Sequence, residues 1–71
     1  MTETELKNGK IFIFTDKYET VEAKISFGKT LGGYKAFKIY FNGRFLILSK
    51  TYDPVDIKFR ELIKKYDLIE S

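Results

Sequence analysis

Six bases fall in residues 23–52 of this 71-residue chain: Lys24, Lys29, Lys35, Lys38, Arg44 and Lys50. The same span holds no acid. The flanks differ. Residues 1–22 carry five acids against three bases, and residues 53–71 five acids against four, so a formal net charge of +3 hides a central block of +6. Clustered cationic charge releases counterions from a polyanion, which drives association with nucleic acid. Tyr40 and Phe45 lie inside the block. Aromatic rings among bases offer platforms on which unpaired nucleobases stack while ammonium groups hold phosphate. The chemistry available to these eight residues is therefore binding of DNA or RNA. A plainer account of them exists. Lys on outward strand positions keeps a sheet soluble and blunts its edges, and Tyr40 opposite Phe45 makes a cross-strand aromatic pair that stabilises a hairpin by itself.

Catalytic chemistry has less to work with. The chain has no His and no Cys, which removes the commonest general base, the thiol nucleophile, disulfides and a zinc site of the Cys/His kind. Residues 23–30, AKISFGKT, match the loose outline of a phosphate loop. That motif needs a glycine-bearing loop followed by a helix N-terminus. Here the spacer continues an alternating strand, and Leu-Gly-Gly-Tyr follows Thr30. The acid pairs Asp53/Asp56 and Glu19/Glu22 have simpler duties, helix capping for the first and a polar loop for the second. The sequence thus predicts a protein that is not an enzyme and uses no metal or small-molecule cofactor.

Alternation and turn residues place the eight binding candidates. Residues 1–9 are polar and end at Asn8-Gly9, giving a tail or short cap. Residues 10–15, KIFIFT, and 20–27, TVEAKISF, read as a first hairpin across Asp16–Glu19. A four-residue link, the register preferred here, pairs Phe14 with Val21 and Phe12 with Ala23; a slip by one turns the other face of the first strand inward. Three glycines make 28–34, GKTLGGY, a flexible connection. Residues 35–50, KAFKIYFNGRFLILSK, form a second hairpin closed by Asn42-Gly43, the strongest short-range hairpin signal available. A two-residue turn then sets Phe41 opposite Arg44, Ile39 opposite Leu46 and Phe37 opposite Leu48, five apolar side chains on one face. The other face receives Ala36, Lys38, Tyr40, Phe45, Ile47 and Ser49. Residues 53–67 follow as a helix. Asp53 is placed as N-cap and Pro54 at the first helical position. Val55, Phe59, Leu62, Ile63 and Tyr66 form one stripe, with Ile57 on the wrong side.

The expected fold is a two-layer α+β unit: a four-stranded antiparallel sheet of two hairpins, then one C-terminal helix (ββββα), residues 1–71 making a single small domain. The alternative is a sharply curved sheet closing on itself with the helix at one end. Four strands and a helix with a basic, aromatic sheet resemble the dimeric single-stranded-DNA-binding domains of transcriptional coactivators. Small basic size and a C-terminal helix are also similar to the small archaeal chromatin proteins. Both likenesses are architectural, and no motif residue carries over. A chain this short buries only about 60% of its unfolded surface and gains from an added staple or partner. One helix covers one sheet face, leaving the other for a nucleic acid, a second copy or a protein partner. The reading favoured is a small non-enzymatic nucleic-acid-binding or regulatory protein. The alternative is a protein-interaction module, as a homodimer, adaptor or small inhibitor. The N-terminus lacks the apolar run of a signal peptide, and no segment is long enough to span a bilayer. A cytoplasmic protein without membrane contact is the expectation.

Overall fold

The structure, a computed structural model, describes residues 1–71. Helix α1 (Glu3–Lys7) is followed by strands β1 (Phe12–Thr15), β2 (Glu22–Lys29), β3 (Lys35–Phe41) and β4 (Arg44–Ser49), then helix α2 (Tyr52–Tyr66) and the two-residue strand β5 (Ile69–Glu70). All strand pairs are antiparallel, and the sheet runs β4-β3-β2-β1-β5. The α+β class and the C-terminal helix on an antiparallel sheet are as the alternation predicts. The fifth strand is an addition. It forms where the chain leaves α2 through a left-handed Asp67 (φ 54°) and lays Ile69 and Glu70 beside Thr15 and Phe14. The sheet is open rather than closed on itself.

Both helices lie on one face. Leu6 of α1 and Val55 and Leu62 of α2 join Phe12, Phe14, Ala23, Ile25, Phe37 and Ile39 in a single buried cluster. Burying a large apolar side chain stabilises by roughly 1.5–3 kcal/mol, so these positions hold the fold. Aromatic rings knit α2 to the sheet: Phe59 meets Phe14 edge-on at 4.7 Å, Tyr52 meets Phe37 at 5.6 Å, and Tyr66 lies 5.1 Å from Phe41. Ile57 points to solvent, as its place off the stripe requires.

Local chemistry moves several elements from their expected places. The N-terminal segment is a helix docked by its fully buried Leu6. Thr2 caps it: the Glu5 amide donates to Thr2 Oγ1 at 3.2 Å, and that hydroxyl donates to the Glu5 carboxylate at 3.0 Å. In the first hairpin Phe14 pairs with Ala23 and Phe12 with Ile25, two residues beyond the expected partners. The expected inward face survives, because a shift of two preserves side-chain parity. The link lengthens to residues 16–21 because Asp16 organises it. One carboxylate oxygen accepts the amides of Thr20 (2.7 Å) and Val21 (3.2 Å), and the other accepts the Thr20 hydroxyl (2.6 Å). Helix α2 starts at Tyr52 with Thr51 as N-cap, so Asp53 lies in the first turn instead of capping it. Tyr52 is drawn into the helix by its ring packing and by its hydroxyl, which donates to Asp56 at 3.2 Å.

The largest correction falls in the second hairpin. Asn42 (φ 51°) and Gly43 (φ 78°) make the expected turn, setting Phe41 opposite Arg44 and Tyr40 opposite Phe45. A β-bulge then intervenes, and Ile39 pairs with Ile47, Lys38 with Leu48 and Phe37 with Ser49. The extra residue shifts the rest of β4 by one, which exchanges its faces. Ile47 therefore packs against the core, and Leu48 leaves the helix side for the opposite face.

Candidate functional site

The face away from the helices is built row by row from the strand registers. Ile13, Lys24, Tyr40 and Phe45 stand side by side across β1, β2, β3 and β4. In the next row Ser26, Lys38 and Leu48 do the same. Then come Gly28 and Ala36. The residues that pack against the helices alternate with these and point the other way, and within the rows only Ala36 is fully buried. Phe45 keeps 57% of its surface exposed, and Ile11, just before β1, keeps 53%. The Tyr40 and Phe45 rings meet edge-on with centroids 6.0 Å apart, so Tyr40 is half-buried by its neighbour while Phe45 presents an open flank.

The turn from Thr30 to Tyr34 closes one end of this face. It is short and ordered by its own hydrogen bonds, because β2 continues through Gly28 and Lys29 and leaves only five residues outside the strands. The Thr30 amide donates to the Tyr34 carbonyl at 2.8 Å, and the Gly33 amide donates to the Thr30 carbonyl at 3.0 Å. Gly33 takes a positive φ of 83°. A Cβ at Gly32 would come within 2.9 Å of the Tyr34 ring, so a side chain there would push that ring from its place. The turn is one wall of a groove of about 570 Å³. Thr30, Leu31, Gly32 and Tyr34 form that wall, Lys38, Tyr40, Phe45 and Leu48 form the sheet side, and Lys29 sits at the junction. The lining contains no acid. The same continuous strand disposes of the phosphate-loop outline: residues 23–29 lie in β2, and no helix follows Thr30.

The structure gathers some of the eight candidates and disperses others. Lys24, Lys38, Tyr40 and Phe45 share the open face. Lys50 adjoins it, its ammonium 4.6 Å from the centre of the Tyr34 ring. Lys29 ends β2 opposite Lys35, and its carbonyl accepts from Lys38 Nζ at 3.4 Å. Lys35 and Arg44 belong elsewhere. Arg44 is opposite Phe41 at the hairpin tip, and Lys35 alternates with Ala36, so both follow the parity of the helix-covered side. None of the six bases is spent on an ion pair. The four pairs in the molecule are Lys7–Glu3, Lys10–Glu5, Lys58–Glu61 and Arg60–Asp56. The open face is graded: Glu22, opposite Thr15, lies at the end nearest Asn42 with Lys24 in the next row, and Lys38 and Lys50 lie towards the Thr30–Tyr34 turn.

Ile13, Tyr34 and Leu48 belong to the site and escape a reading of the sequence for binding residues. Ile13 could be found from the preferred hairpin register, which leaves odd-numbered β1 residues outward. Leu48 is hidden by the bulge, and Tyr34 by a glycine-rich segment that reads as slack chain. The perturbed acids lie outside the site. The Thr20 hydroxyl, followed by backbone amides, holds Asp16 below the usual aspartate value. Thr2 does the same for Glu5, and burial followed by the nearby Asp56 charge pushes Tyr52 above the usual tyrosine value. No group of three or more acidic side chains converges to hold a cation, and no helix is long and apolar enough to cross a membrane. No family model, curated protein or solved structure matches the chain.

Proposed function

We propose that the protein is a non-enzymatic, cytoplasmic nucleic-acid-binding module that takes a single strand of DNA or RNA across its open sheet face. The observation that carries this reading is the coincidence of free bases with an uncovered ring: Lys24 and Lys38 adjoin Tyr40 and Phe45, Lys50 lies against the neighbouring Tyr34, and none of the three is in an ion pair. A strand lying there exchanges condensed counterions for lysine and stacks bases on Phe45 and Tyr40, worth about 1–3 kcal/mol per stacked base. Duplex recognition by insertion of a helix fits less well, because α2 carries its bases among acids and its apolar stripe is buried. The deciding measurement is fluorescence anisotropy of a short labelled oligonucleotide over a salt series. Binding that weakens steeply with salt is the expected result; no binding at low salt removes the reading.

Ile11 and Ile13 favour a second reading. They extend the open face towards β1, away from Lys38 and Lys50, and an apolar patch of this kind suits association of two copies of the chain. Light scattering on the free protein gives a dimer mass under this reading, and Ile13→Lys returns it to a monomer.

A further inference from the structure

The groove between the Thr30–Tyr34 turn and the Tyr40/Phe45 pair is more than a continuation of a flat binding face. It has two kinds of wall. On the sheet side the Phe45 and Tyr40 rings and Leu48 are apolar; on the turn side stand the Tyr34 ring and the fully exposed Leu31. Its volume of about 570 Å³ is of the size that takes a small organic ligand. Its charge is of one sign: Lys29 and Lys38 line it, and beside it the Lys50 ammonium lies against the Tyr34 ring. The turn wall is held in place: Gly32 lets the Tyr34 ring close on the turn, and two backbone hydrogen bonds fix the loop. An apolar slot edged by ammonium groups and lacking any acid suits a flat ring that carries an anionic group. That is the chemistry of a nucleotide.

We propose that this groove is a nucleotide subsite, where one base unstacks from the bound strand and lies against Phe45 and Tyr40 while its phosphate is met by Lys38 and Lys50. The inference rests on the reading of the open face as a nucleic-acid surface, and it adds a consequence that a merely electrostatic surface lacks. A free mononucleotide binds in the groove, and the base, not the phosphate alone, supplies the selectivity. Stacking on Phe45 makes the contact depend on a ring that lies outside the core, so its removal spares the fold.

The test is amide-resolved NMR titration of the whole chain with adenosine 5′-monophosphate and uridine 5′-monophosphate, beside ribose 5-phosphate and inorganic phosphate. Saturable shifts are expected at Thr30–Tyr34, Tyr40 and Phe45 with either nucleotide. Ribose 5-phosphate and phosphate bind at least about tenfold more weakly, the loss of one stacked ring. Phe45→Ala weakens nucleotide binding about tenfold with the rest of the spectrum unchanged. Lys38→Gln weakens nucleotide and ribose 5-phosphate alike. A thymidylate oligonucleotide titrated in parallel separates the two ideas. If the oligonucleotide binds with steep salt dependence while mononucleotides leave the turn unshifted, the subsite is overturned and the binding face stands. If mononucleotides shift the turn and the oligonucleotide does not bind, the subsite stands as a site for free nucleotide and the strand reading falls. If neither binds, both are overturned. Equal shifts from phosphate and nucleotide also overturn the subsite, because the base then contributes nothing.

Discussion

Charge on one face, rather than net charge, is the quantity that a salt series can isolate. Three bases lie on or beside the open face, Lys24, Lys38 and Lys50, whereas Lys35 and Arg44 follow the parity of the helix side. Each phosphate neutralised on a single strand contributes about −0.7 to the slope of log affinity against log salt, so three contacts give a slope of about −2. A fivefold rise in salt then weakens binding about thirtyfold. The double variant Lys24→Gln/Lys38→Gln leaves one contact, a slope of about −0.7, and about a threefold loss over the same range. The control Lys35→Gln/Arg44→Gln removes the same net charge from the other parity and keeps the slope near −2. None of the four is in an ion pair; Lys35 and Arg44 are exposed, whereas Lys24 and Lys38 are half-buried and Lys38 donates to the Lys29 carbonyl, so the control pair costs about 0.5 kcal/mol or less and the test pair about 1 kcal/mol. Anisotropy titrations at four or five salt concentrations measure the slopes, and thermal melts verify that the variants remain folded. Equal slopes in the two double variants would mean that binding follows total charge and not the sheet face.

Three further outcomes follow from the packing. Phe37→Ala, which empties a fully buried site touching both Phe27 and Tyr52, costs about 3–5 kcal/mol, whereas Phe45→Ala, mostly exposed, costs about 1 kcal/mol or less; urea denaturation of the two measures the difference. Leu6→Ala destabilises by about 2–5 kcal/mol although it lies in a five-residue helix near the terminus, because its side chain is part of the central cluster; a loss within about 0.5 kcal/mol in the same assay contradicts that placement. Acid weakens the fold through Asp16. Its folded value lies below its ordinary 3.8, so the stability it contributes is whole at pH above 3.8 and is lost as pH falls through the depressed folded value. Asp16→Asn removes that part of the acid dependence, which melts recorded between pH 6 and about 2 resolve.

The elements were legible where local chemistry and pattern agree. Alternation at Val21, Ala23, Ile25 and Phe27 put one side of β2 inward, and Asn42-Gly43 fixed the second turn because only residues tolerant of positive φ close a two-residue hairpin. The stripe of Val55, Phe59, Leu62 and Tyr66 marked the helix face that meets the sheet. A Thr-x-x-Glu capping pattern at Thr2 and Glu5 was also present in the residues, and it marks the start of α1 that a reading of 1–9 as tail or cap passes over.

The composition of the binding face depended on more than pattern. The bulge after Phe45 has no marker such as glycine in RFLIL, where every residue suits a strand, so a regular ladder and a bulged one fit the sequence equally well. What separates them is packing against α2: the bulge brings Ile47 to the core and releases Leu48 to the groove. The turn at Thr30–Tyr34 likewise becomes a wall only through contacts between residues distant along the chain, such as Lys50 on Tyr34. Residue types by themselves determined a basic, aromatic, cysteine-free α+β chain with two hairpins and one long helix. Which bases share a surface with Tyr40 and Phe45 was decided by tertiary structure, because a side chain's face depends on strand register, and register is settled by the whole core at once.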